Sequence, residues 1–258
     1  MRIEGKVAIV TGGASGIGRG VCEEWVARGG RVVIFDLQAE RAQETAAALG
    51  RERAAAVEVD VTDEAAVQAG IEQTRAAFGA IHVAVNSAGV PFAAKTVDRD
   101  GKPFPLELWN KVIAINLTGT FNVLRLAATE MARNAPEGES AERGVVVNIA
   151  SGAAFDGQTG QAAYAASKAA VVGMALPIAR DLAGFGIRVM TIAPGLFETP
   201  MVAGVPDKVR ESLLQMILYP RRMGTPREAG ALACAIVENP YLNAECIRLD
   251  AGARMAAR

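Results

Sequence analysis

Short runs of apolar, often β-branched residues alternate along the chain with longer stretches in which apolar residues recur every three to four positions. The short runs predict strands, and the longer stretches predict helices that pack one face on a sheet. The predicted strands are Val7–Thr11, Arg31–Phe35, Ala54–Val59, Ile81–Asn86, Gly144–Ala150, Ile187–Ala193 and Glu245–Leu249. The predicted helices are Gly16–Arg28, Ala39–Leu49, Glu64–Phe78, Leu106–Arg133, Gln161–Ala183 and Pro226–Val237. Such alternation is typical of βαβ units, so we expect an α/β fold with a doubly wound, seven-stranded parallel sheet and helices on both faces, in a single domain over residues 1–258.

Three segments interrupt this alternation, at Pro91–Pro105, Ala135–Arg143 and Gly195–Arg222. The second is polar and acidic and predicts a surface loop. The first and third follow the fourth and sixth strands, so both lie at the carboxyl edge of the sheet, where open α/β folds bind ligands. We expect them to be walls of a substrate pocket, with a loop and a short amphipathic helix forming a lid over residues 195–222.

Composition and charge exclude several classes of protein. Of the 258 residues, 51% are hydrophobic and 21% charged, as in soluble globular proteins. The 27 Lys and Arg balance 28 Asp and Glu without a long run of either sign, so no nucleic-acid or anionic membrane partner is expected. No signal peptide or membrane-spanning run is expected either, and the scattered Cys22, Cys234 and Cys246 predict no metal site and a reducing, cytoplasmic location.

A glycine-rich turn, Thr11-Gly12-Gly13-Ala14-Ser15-Gly16-Ile17-Gly18, joins the first strand to the first helix. Glycines there let backbone N–H groups approach a pyrophosphate at the helix N-terminus, as in Rossmann-type dinucleotide sites. Asp36 ends the second strand and can accept hydrogen bonds from both ribose hydroxyls, whereas a 2′-phosphate would meet its negative charge. Since Ser15 and Leu37 offer no cation, NAD is predicted rather than NADP. A simple turn-capping role is the alternative for Asp36.

Polar turns after the third and fourth strands reach the same edge. We expect Asp60, with Val61, to meet the adenine amine. The turn Asn86-Ser87-Ala88-Gly89 either flanks the cofactor or ties the fourth strand to its neighbours, and for Asn86 these interpretations are equally supported.

Tyr164 and Lys168 are four residues apart in a predicted helix, so both point to one volume. Ser151 ends the fifth strand at the same edge. Hydride transfer needs a group that takes the alcohol proton, and tyrosine serves only if its phenolate is stabilised. We therefore predict that Tyr164 is the acid/base and that Lys168 favours its ionised form. Ser151 would hold the substrate oxygen, and Asn116 would seat a water that relays protons.

These residues stand in the order and spacing of the short-chain dehydrogenase/reductase family, which the whole chain resembles. Within the family, the stretches Gly157–Tyr164, Leu176–Leu182, Ala193–Phe197 and Glu238–Asn243 resemble the type II 3-hydroxyacyl-CoA dehydrogenases. Three features depart from the family pattern. Ser87 stands where the family commonly has Asn, and His82 stands where it commonly has Asp. The lid carries a bulky run at Gln215–Tyr219.

The resemblance implies a homotetramer that uses NAD to oxidise (S)-3-hydroxyacyl-CoA reversibly to 3-ketoacyl-CoA, in fatty-acid or branched-chain acyl-CoA breakdown. It also implies cofactor and substrate residues. The full predicted cofactor set is Gly12, Ser15, Gly16, Ile17, Gly18, Asp36, Asp60, Val61, Asn86, Ser87, Ala88, Gly89, Tyr164, Lys168, Pro194, Phe197 and Thr199. The predicted substrate set is Ser151, Gln158, Gln161 and Tyr164, and no metal ligand is predicted.

Two other functions remain open at this point. A hydroxysteroid or other secondary-alcohol dehydrogenase would use the same catalytic groups, and an NAD-binding scaffold subunit of a larger assembly would not need them. Several residues have structural interpretations: His82 as a strand residue without a ligand partner, and Pro177 as the cause of a bend in the catalytic helix. The cations Lys95, Arg99 and Lys102 in the first pocket wall either attract coenzyme A phosphates or form a solvated loop.

Overall fold

Seven parallel strands form one sheet in the order β3-β2-β1-β4-β5-β6-β7 in the computed structural model, which describes residues 1–203 and 207–257. The strands are β1 (Val7–Thr11), β2 (Arg31–Asp36), β3 (Ala54–Glu58), β4 (Val83–Asn86), β5 (Gly144–Ile149), β6 (Ile187–Pro194) and β7 (Cys246–Leu249). Strands β1, β4, β5 and β6 are buried along their whole length, which explains their continuous apolar sequence. The predicted seven-stranded parallel sheet is confirmed.

Helices cover both faces of the sheet. They are α1 (Gly16–Ala27), α2 (Ala39–Leu49), α3 (Glu64–Phe78), α4 (Leu106–Ile113), α5 (Thr120–Met131), α6 (Ala162–Gly173), α7 (Ala175–Leu182), α8 (Pro200–Ala203), α9 (Asp207–Gln215) and α10 (Pro226–Glu238). One apolar core joins the sheet to α1, α2 and α10. A second core, on the opposite face, joins it to α3, α5 and α7. The fold is therefore the predicted Rossmann-type, doubly wound architecture.

The strand order reverses direction between β1 and β4, which pair in register from Ala8 with Val83 to Thr11 with Asn86. On one side of this point the chain winds outward to β2 and β3, and on the other to β5, β6 and β7. Connections leave the sheet in opposite directions there and open a crevice at the carboxyl ends of the strands. The crevice receives the turns after β1, β4 and β5.

Two predicted helices are each divided in the structure. The stretch predicted as Leu106–Arg133 contains a π-helical turn, Ala114–Gly119, between α4 and α5. The stretch predicted as Gln161–Ala183 breaks at Met174, between α6 and α7. Pro177 has no N–H to donate to the carbonyl four residues earlier, so the α-helical ladder cannot continue through that point. The predicted bend at Pro177 is thus present.

The same two stretches correct the expectation that no segment is long and apolar enough to span a membrane. The helical stretches Leu106–Met131 and Ala162–Phe185, of 26 and 24 residues, both meet that measure by length and composition. Both lie against the sheet, where α5 and α7 contribute Val123, Leu124 and Ile178 to the second apolar core. Since 50% of the apolar 18-residue window in the first stretch and 33% of that in the second are buried in the fold, burial accounts for part of their apolar character.

Candidate active site

A cavity of about 550 Å³ lies at the crevice between β1 and β4, within the size range of small-molecule sites. It is lined by the glycine-rich turn, by the ends of β2 and β3, by the turn after β4, and by the region around Ser151. Most of the predicted cofactor residues line it: Gly12, Ser15, Gly16, Ile17, Asp36, Asp60, Val61, Ser87, Ala88, Gly89, Tyr164, Lys168, Pro194, Phe197 and Thr199. All four predicted substrate residues, Ser151, Gln158, Gln161 and Tyr164, line the same cavity.

The glycine-rich turn forms a cradle at the N-terminus of α1. A Cβ on Gly18 would stand 2.3 Å from the carbonyl oxygen of Gly12, so only glycine lets the helix approach the end of β1 this closely. Gly18 packs against the turn and does not itself line the cavity in the part of the chain that the structure describes, so its predicted cofactor contact stays a prediction. Ser15, Gly16 and Ile17 at the start of α1 line the cavity, and first-turn N–H groups lack intrahelical acceptors, as a pyrophosphate site requires. The residues present therefore fit a dinucleotide.

The Asp36 carboxylate holds two backbone turns and also lines the cavity. Its Oδ2 accepts from the N–H of Ala14 at 3.1 Å and its Oδ1 from the N–H of Gln38 at 3.0 Å. The two sequence-based interpretations are therefore compatible, because the carboxylate caps its turn, anchors the glycine-rich turn and still lines the cavity. It brings a negative charge to the cavity at the end of β2.

The turn after β3 is held by side chains on two sides. Asp60 Oδ1 accepts from the N–H of Thr62 at 2.8 Å. The carbonyl of Val61 accepts from Asn122 Nδ2 on α5 at 3.0 Å. These contacts fix the Asp60–Val61 turn in the cavity wall.

Asn86 is placed in the sheet and not in the cavity lining, which corrects its prediction as a cofactor residue. It is buried, and its Nδ2 donates to Asn148 Oδ1 on β5 at 2.9 Å. The alternative interpretation, that Asn86 ties strand β4 to its neighbour, is the one that the structure shows. The turn after it is held by Thr11, whose Oγ1 accepts from the N–H groups of Ser87 and Ala88, each at 3.0 Å.

Ser151 and Tyr164 meet at the other part of the cavity. Ser151 is buried at the end of β5, and its Oγ accepts from the N–H of Ala153 at 3.1 Å. The Ser151 hydroxyl keeps its proton free to donate, and it lies close enough to the Tyr164 phenol to lower the pKa of that phenol. Burial raises the pKa of the Tyr164 phenol, and the hydrogen bond with Ser151 partly opposes that rise. In the cofactor-free chain Tyr164 is therefore a proton donor at neutral pH.

Lys168 lies one helical turn beyond Tyr164, as predicted. Its Nζ is 5.9 Å from the centroid of the Tyr164 ring and donates to the carbonyl of Ile149 at 2.9 Å. Burial lowers the pKa of Lys168 to about 8, so the ammonium is mostly protonated at neutral pH. In the cofactor-free chain the pKa of Tyr164 is set by burial and by Ser151, so the stabilisation of a phenolate by Lys168 remains a prediction.

Asn116 is buried in the π-helical turn, and among the described residues it does not line the cavity. Its Oδ1 accepts from the N–H of Val90 at 2.8 Å, and its Nδ2 donates to the carbonyl of Val90 and to Ser167 Oγ, each at 3.1 Å. These contacts position the Asn116 side chain, and because Oδ1 accepts only one of them, the predicted water-seating role stays a prediction. A Cβ on Gly89 would stand 3.2 Å from Asn116 Oδ1 and 3.4 Å from Lys168 Nζ. Glycine there leaves room beside both groups.

The predicted pocket walls are only partly correct. From the segment Pro91–Pro105 only Pro91 lines the cavity, and Lys95, Arg99 and Lys102 are exposed on a turn held by Asp98. The solvated-loop interpretation therefore describes these cations. The predicted lid contributes more of the wall: Gly195, Leu196, Phe197, Thr199, Pro200, Val202 and Leu213 line the cavity.

Sequence reasoning missed several residues of the site, and three of them have distinct positions. Thr11 holds the turn after β4, and Ser167 Oγ links Asn116 to the carbonyl of Tyr164 at 2.7 Å. Met255, near the C-terminus, lines the cavity. A polar residue ending a buried strand is a usable signal for Thr11, whereas no local pattern marks Met255.

The family profile described as short chain dehydrogenase matches residues 6–210 of this chain. Together with the parallel sheet, the glycine-rich cradle and the Ser151, Tyr164 and Lys168 cluster, this match shows that the chain belongs to the short-chain dehydrogenase family, whose members are oxidoreductases. The family implies a nicotinamide cofactor.

Relatives of one kind are similar to this chain over nearly its whole length. The 3-hydroxyacyl-CoA dehydrogenase type-2 of Bos taurus is 50% identical over 98% of this chain and 97% of its own. The protein of the same name from Drosophila melanogaster is also 50% identical, over 98% of this chain and 99% of its own. The crystal structure of 3-hydroxyacyl-CoA dehydrogenase type-2 from Mycobacterium avium superposes with a TM-score of 0.94, at 41% identity, over 98% of both chains. The resemblance found in the sequence is confirmed.

Proposed function

We propose that this enzyme uses NAD to oxidise (S)-3-hydroxyacyl-CoA thioesters reversibly to 3-ketoacyl-CoA, as a step of fatty-acid or branched-chain acyl-CoA breakdown. The observation that carries the proposal is the single cavity that reaches from Asp36 and the glycine-rich turn to Ser151 and Tyr164. The near full-length similarity to 3-hydroxyacyl-CoA dehydrogenases supports this substrate class over a steroid dehydrogenase or a scaffold subunit.

A bound oxidised nicotinamide cofactor, held by the glycine-rich turn and the Asp36 side of the cavity, would supply the acceptor for the hydride of the carbinol carbon and a positive charge near the site. The chain itself positions the substrate oxygen and moves its proton. Ser151 donates a hydrogen bond to the substrate oxygen, and its own orientation is fixed by the N–H of Ala153. This contact holds the carbinol beside the phenol of Tyr164, within reach of proton transfer.

Tyr164 exchanges the proton at its phenol oxygen. In the direction of ketone reduction it donates the proton that burial keeps on the phenol. In the direction of alcohol oxidation it must first be ionised. Two features of the chain favour that state while Ser151 donates to the substrate: the Lys168 ammonium, and the position of Tyr164 in the first turn of α6, where helix N–H groups stabilise negative charge.

The preference for NAD over NADP is proposed from Asp36. Its carboxylate accepts from Ala14 and Gln38 and would face a 2′-phosphate with like charge. We expect the wild-type enzyme to favour NAD in kcat/KM by at least about a hundredfold, and Asp36→Asn to reduce this ratio by about tenfold or more. Equal use of the two cofactors by the wild type would overturn the proposal.

The substrate class is tested with NAD reduction by 3-hydroxybutyryl-CoA, a long-chain homologue and a hydroxysteroid, compared by kcat/KM. The proposal expects the thioesters to be preferred. A thousandfold preference for the steroid would reassign the enzyme as a hydroxysteroid dehydrogenase.

We also propose a homotetramer, located in the cytoplasm. The apolar side chains Leu106, Phe121, Leu176 and Phe185 on the outer surfaces of the two long helical stretches are 45 to 70% exposed. Large apolar patches on a soluble protein mark contact sites, and a second copy of the chain is the occupant proposed here. Sedimentation should show a tetramer, and Phe121→Lys should shift it to smaller species. A monomeric wild type would contradict the proposal.

A further inference from the structure

The C-terminal segment, residues 250–257, folds back over the active site after β7. Its Met255 is half-buried and lines the same cavity as Ser151 and Tyr164. The Met255 methyl carbon Cε stands 3.6 Å from the point that a Cβ on Gly152 would occupy. The methyl group therefore lies beside Gly152, the residue that follows Ser151, and Ser151 lines the same cavity.

Hydrogen bonds hold the C-terminal segment on both sides. On one side, Gln158 Nε2 donates to the carbonyl of Ala256 at 3.0 Å, and Thr159 Oγ1 donates to the carbonyl of Ala257 at 2.8 Å. On the other side, the N–H of Ala256 donates to Met216 Sδ in the lid at 3.3 Å. The segment thus connects the loop before α6 with the lid, and Gln158 acts as its anchor.

An ion-pair network fixes the same segment at its start. The Arg248 guanidinium bridges Asp156 Oδ2 at 2.6 Å and Asp250 Oδ2 at 2.7 Å, and it lies 5.1 Å from the centroid of the Phe155 ring. Arg254 Nη1 also contacts Asp250, at 3.1 Å. The Arg248 guanidinium holds the pKa of the Asp156 carboxyl below its usual range, so the pair stays charged at neutral pH. A charged network of several members restrains the segment better than one exposed pair.

We infer that Met255 is a specificity-determining residue. Ser151 and Tyr164 hold the substrate oxygen, and Met255 contacts the substituents of the carbon that bears this oxygen. The thioether chain of methionine is unbranched and flexible, and it can adapt to acyl groups of different shape. Anchoring by Gln158, Thr159 and Arg248 keeps the side chain in the cavity wall. The identity of the acyl group rests on the proposed function, whereas the position of Met255 in the cavity wall beside Gly152 does not.

The test compares kcat/KM for a series of 3-hydroxyacyl-CoA thioesters from four to twelve carbons in wild type, Met255→Ala, Met255→Leu and Met255→Trp. Removing or adding methylene-sized groups in an apolar pocket typically changes selectivity about 10- to 200-fold. We expect Met255→Ala to raise the ratio for long over short substrates by at least about tenfold. Met255→Trp should shift the ratio in the opposite direction, and Met255→Leu should stay within about threefold of wild type.

Met174→Ala is the matched control. Met174 is a half-buried methionine between α6 and α7, and it packs on apolar clusters outside the lining of the cavity. Its loss should lower stability and leave the chain-length ratio unchanged. The affinity for NAD should stay within about twofold in all Met255 variants, because the Asp36 side of the cavity is untouched.

A chain-length ratio that stays within twofold of wild type in both Met255→Ala and Met255→Trp would overturn the inference. Failure of the proposed function gives a different result: the wild type would leave the thioesters unconverted and act on other secondary alcohols. The ratio is then measured with 2-alkanols of increasing length, and the same shifts are required of the Met255 variants.

Discussion

Replacement of Gly18 by alanine tests the packing of the cofactor cradle. Gly18 is the third residue of α1, and helix propensity alone would make alanine more favourable there by about 0.5 to 1 kcal/mol. The structure predicts the opposite sign. The new Cβ would stand 2.3 Å from the carbonyl oxygen of Gly12 and 2.8 Å from its carbonyl carbon, both of them backbone atoms.

The helix must therefore move away from β1 by about an ångström to restore an ordinary contact distance. Overpacking of this kind costs about 1 to 3 kcal/mol, which exceeds the gain in propensity. The same movement displaces the first-turn N–H groups at the start of α1. We expect a net loss of about 1 to 2 kcal/mol in the free energy of unfolding and a rise of at least about tenfold in the Kd for NAD.

Gly173→Ala is the matched control, since Gly173 ends α6 and a Cβ there would meet nothing within 4 Å. It should leave the Kd for NAD unchanged and the stability equal to or above wild type. Urea denaturation and calorimetric titration with NAD provide the two measurements. A Gly18→Ala protein with wild-type stability and wild-type NAD affinity would refute the reasoning.

Two further predictions concern groups outside the site. Glu142 is buried and accepts from Arg188 Nε at 2.5 Å. Glu142→Gln therefore leaves a buried guanidinium without its counter-charge. We expect urea denaturation to show a free energy of unfolding lower by about 3 to 5 kcal/mol. Glu23, which pairs with Arg19 at the surface, gives the control: Glu23→Gln should lower the free energy of unfolding by about 1 kcal/mol or less. Equal losses for the two variants would contradict this prediction. His82 Nδ1 accepts from the N–H of Val7 at 3.2 Å, and burial, aided by Lys6, lowers the pKa of His82 below 6.5. As the pH falls, the unfolded chain binds a proton at His82 before the folded chain does, so stability should fall below about pH 6.5. The single histidine gives one resolvable NMR titration. A titration midpoint above 6.5 would contradict the lowered pKa.

The sequence was sufficient to predict the sheet and most of the cavity lining. Strand identity followed from continuous apolar runs, and the observed ends differ from the predicted ones by one or two residues, as at β4, which begins at Val83 and not at Ile81. The predicted cofactor residues Asp36, Asp60 and Ser87, which stand at or just after strand ends, all line the cavity. Position at a strand end fixes the edge of the sheet that a residue reaches.

Position at a strand end does not fix the direction of a side chain. Asn86 ends β4 and turns into the sheet toward Asn148. Asn116 is in a π-helical turn, which hydrophobic periodicity does not distinguish from an α-helix, and its side chain bonds to Val90 instead of reaching the cavity.

Long-range contacts set the other limit. Gln158 and Ala256 are bonded although 98 residues separate them along the chain. The pKa of Tyr164 likewise depends on three-dimensional burial, which the spacing of Tyr164 and Lys168 does not reveal. These features arise from tertiary packing and have no local signature.

The central claim, that Tyr164 exchanges the substrate proton, is tested most directly by Tyr164→Phe, with NAD binding and turnover of 3-hydroxybutyryl-CoA measured on the same preparation. Phenylalanine keeps the ring and removes only the hydroxyl that meets Ser151. The account predicts an unchanged Kd for NAD and a fall in kcat of at least about a hundredfold, the usual scale for an acid/base group. Turnover at the wild-type rate would contradict it.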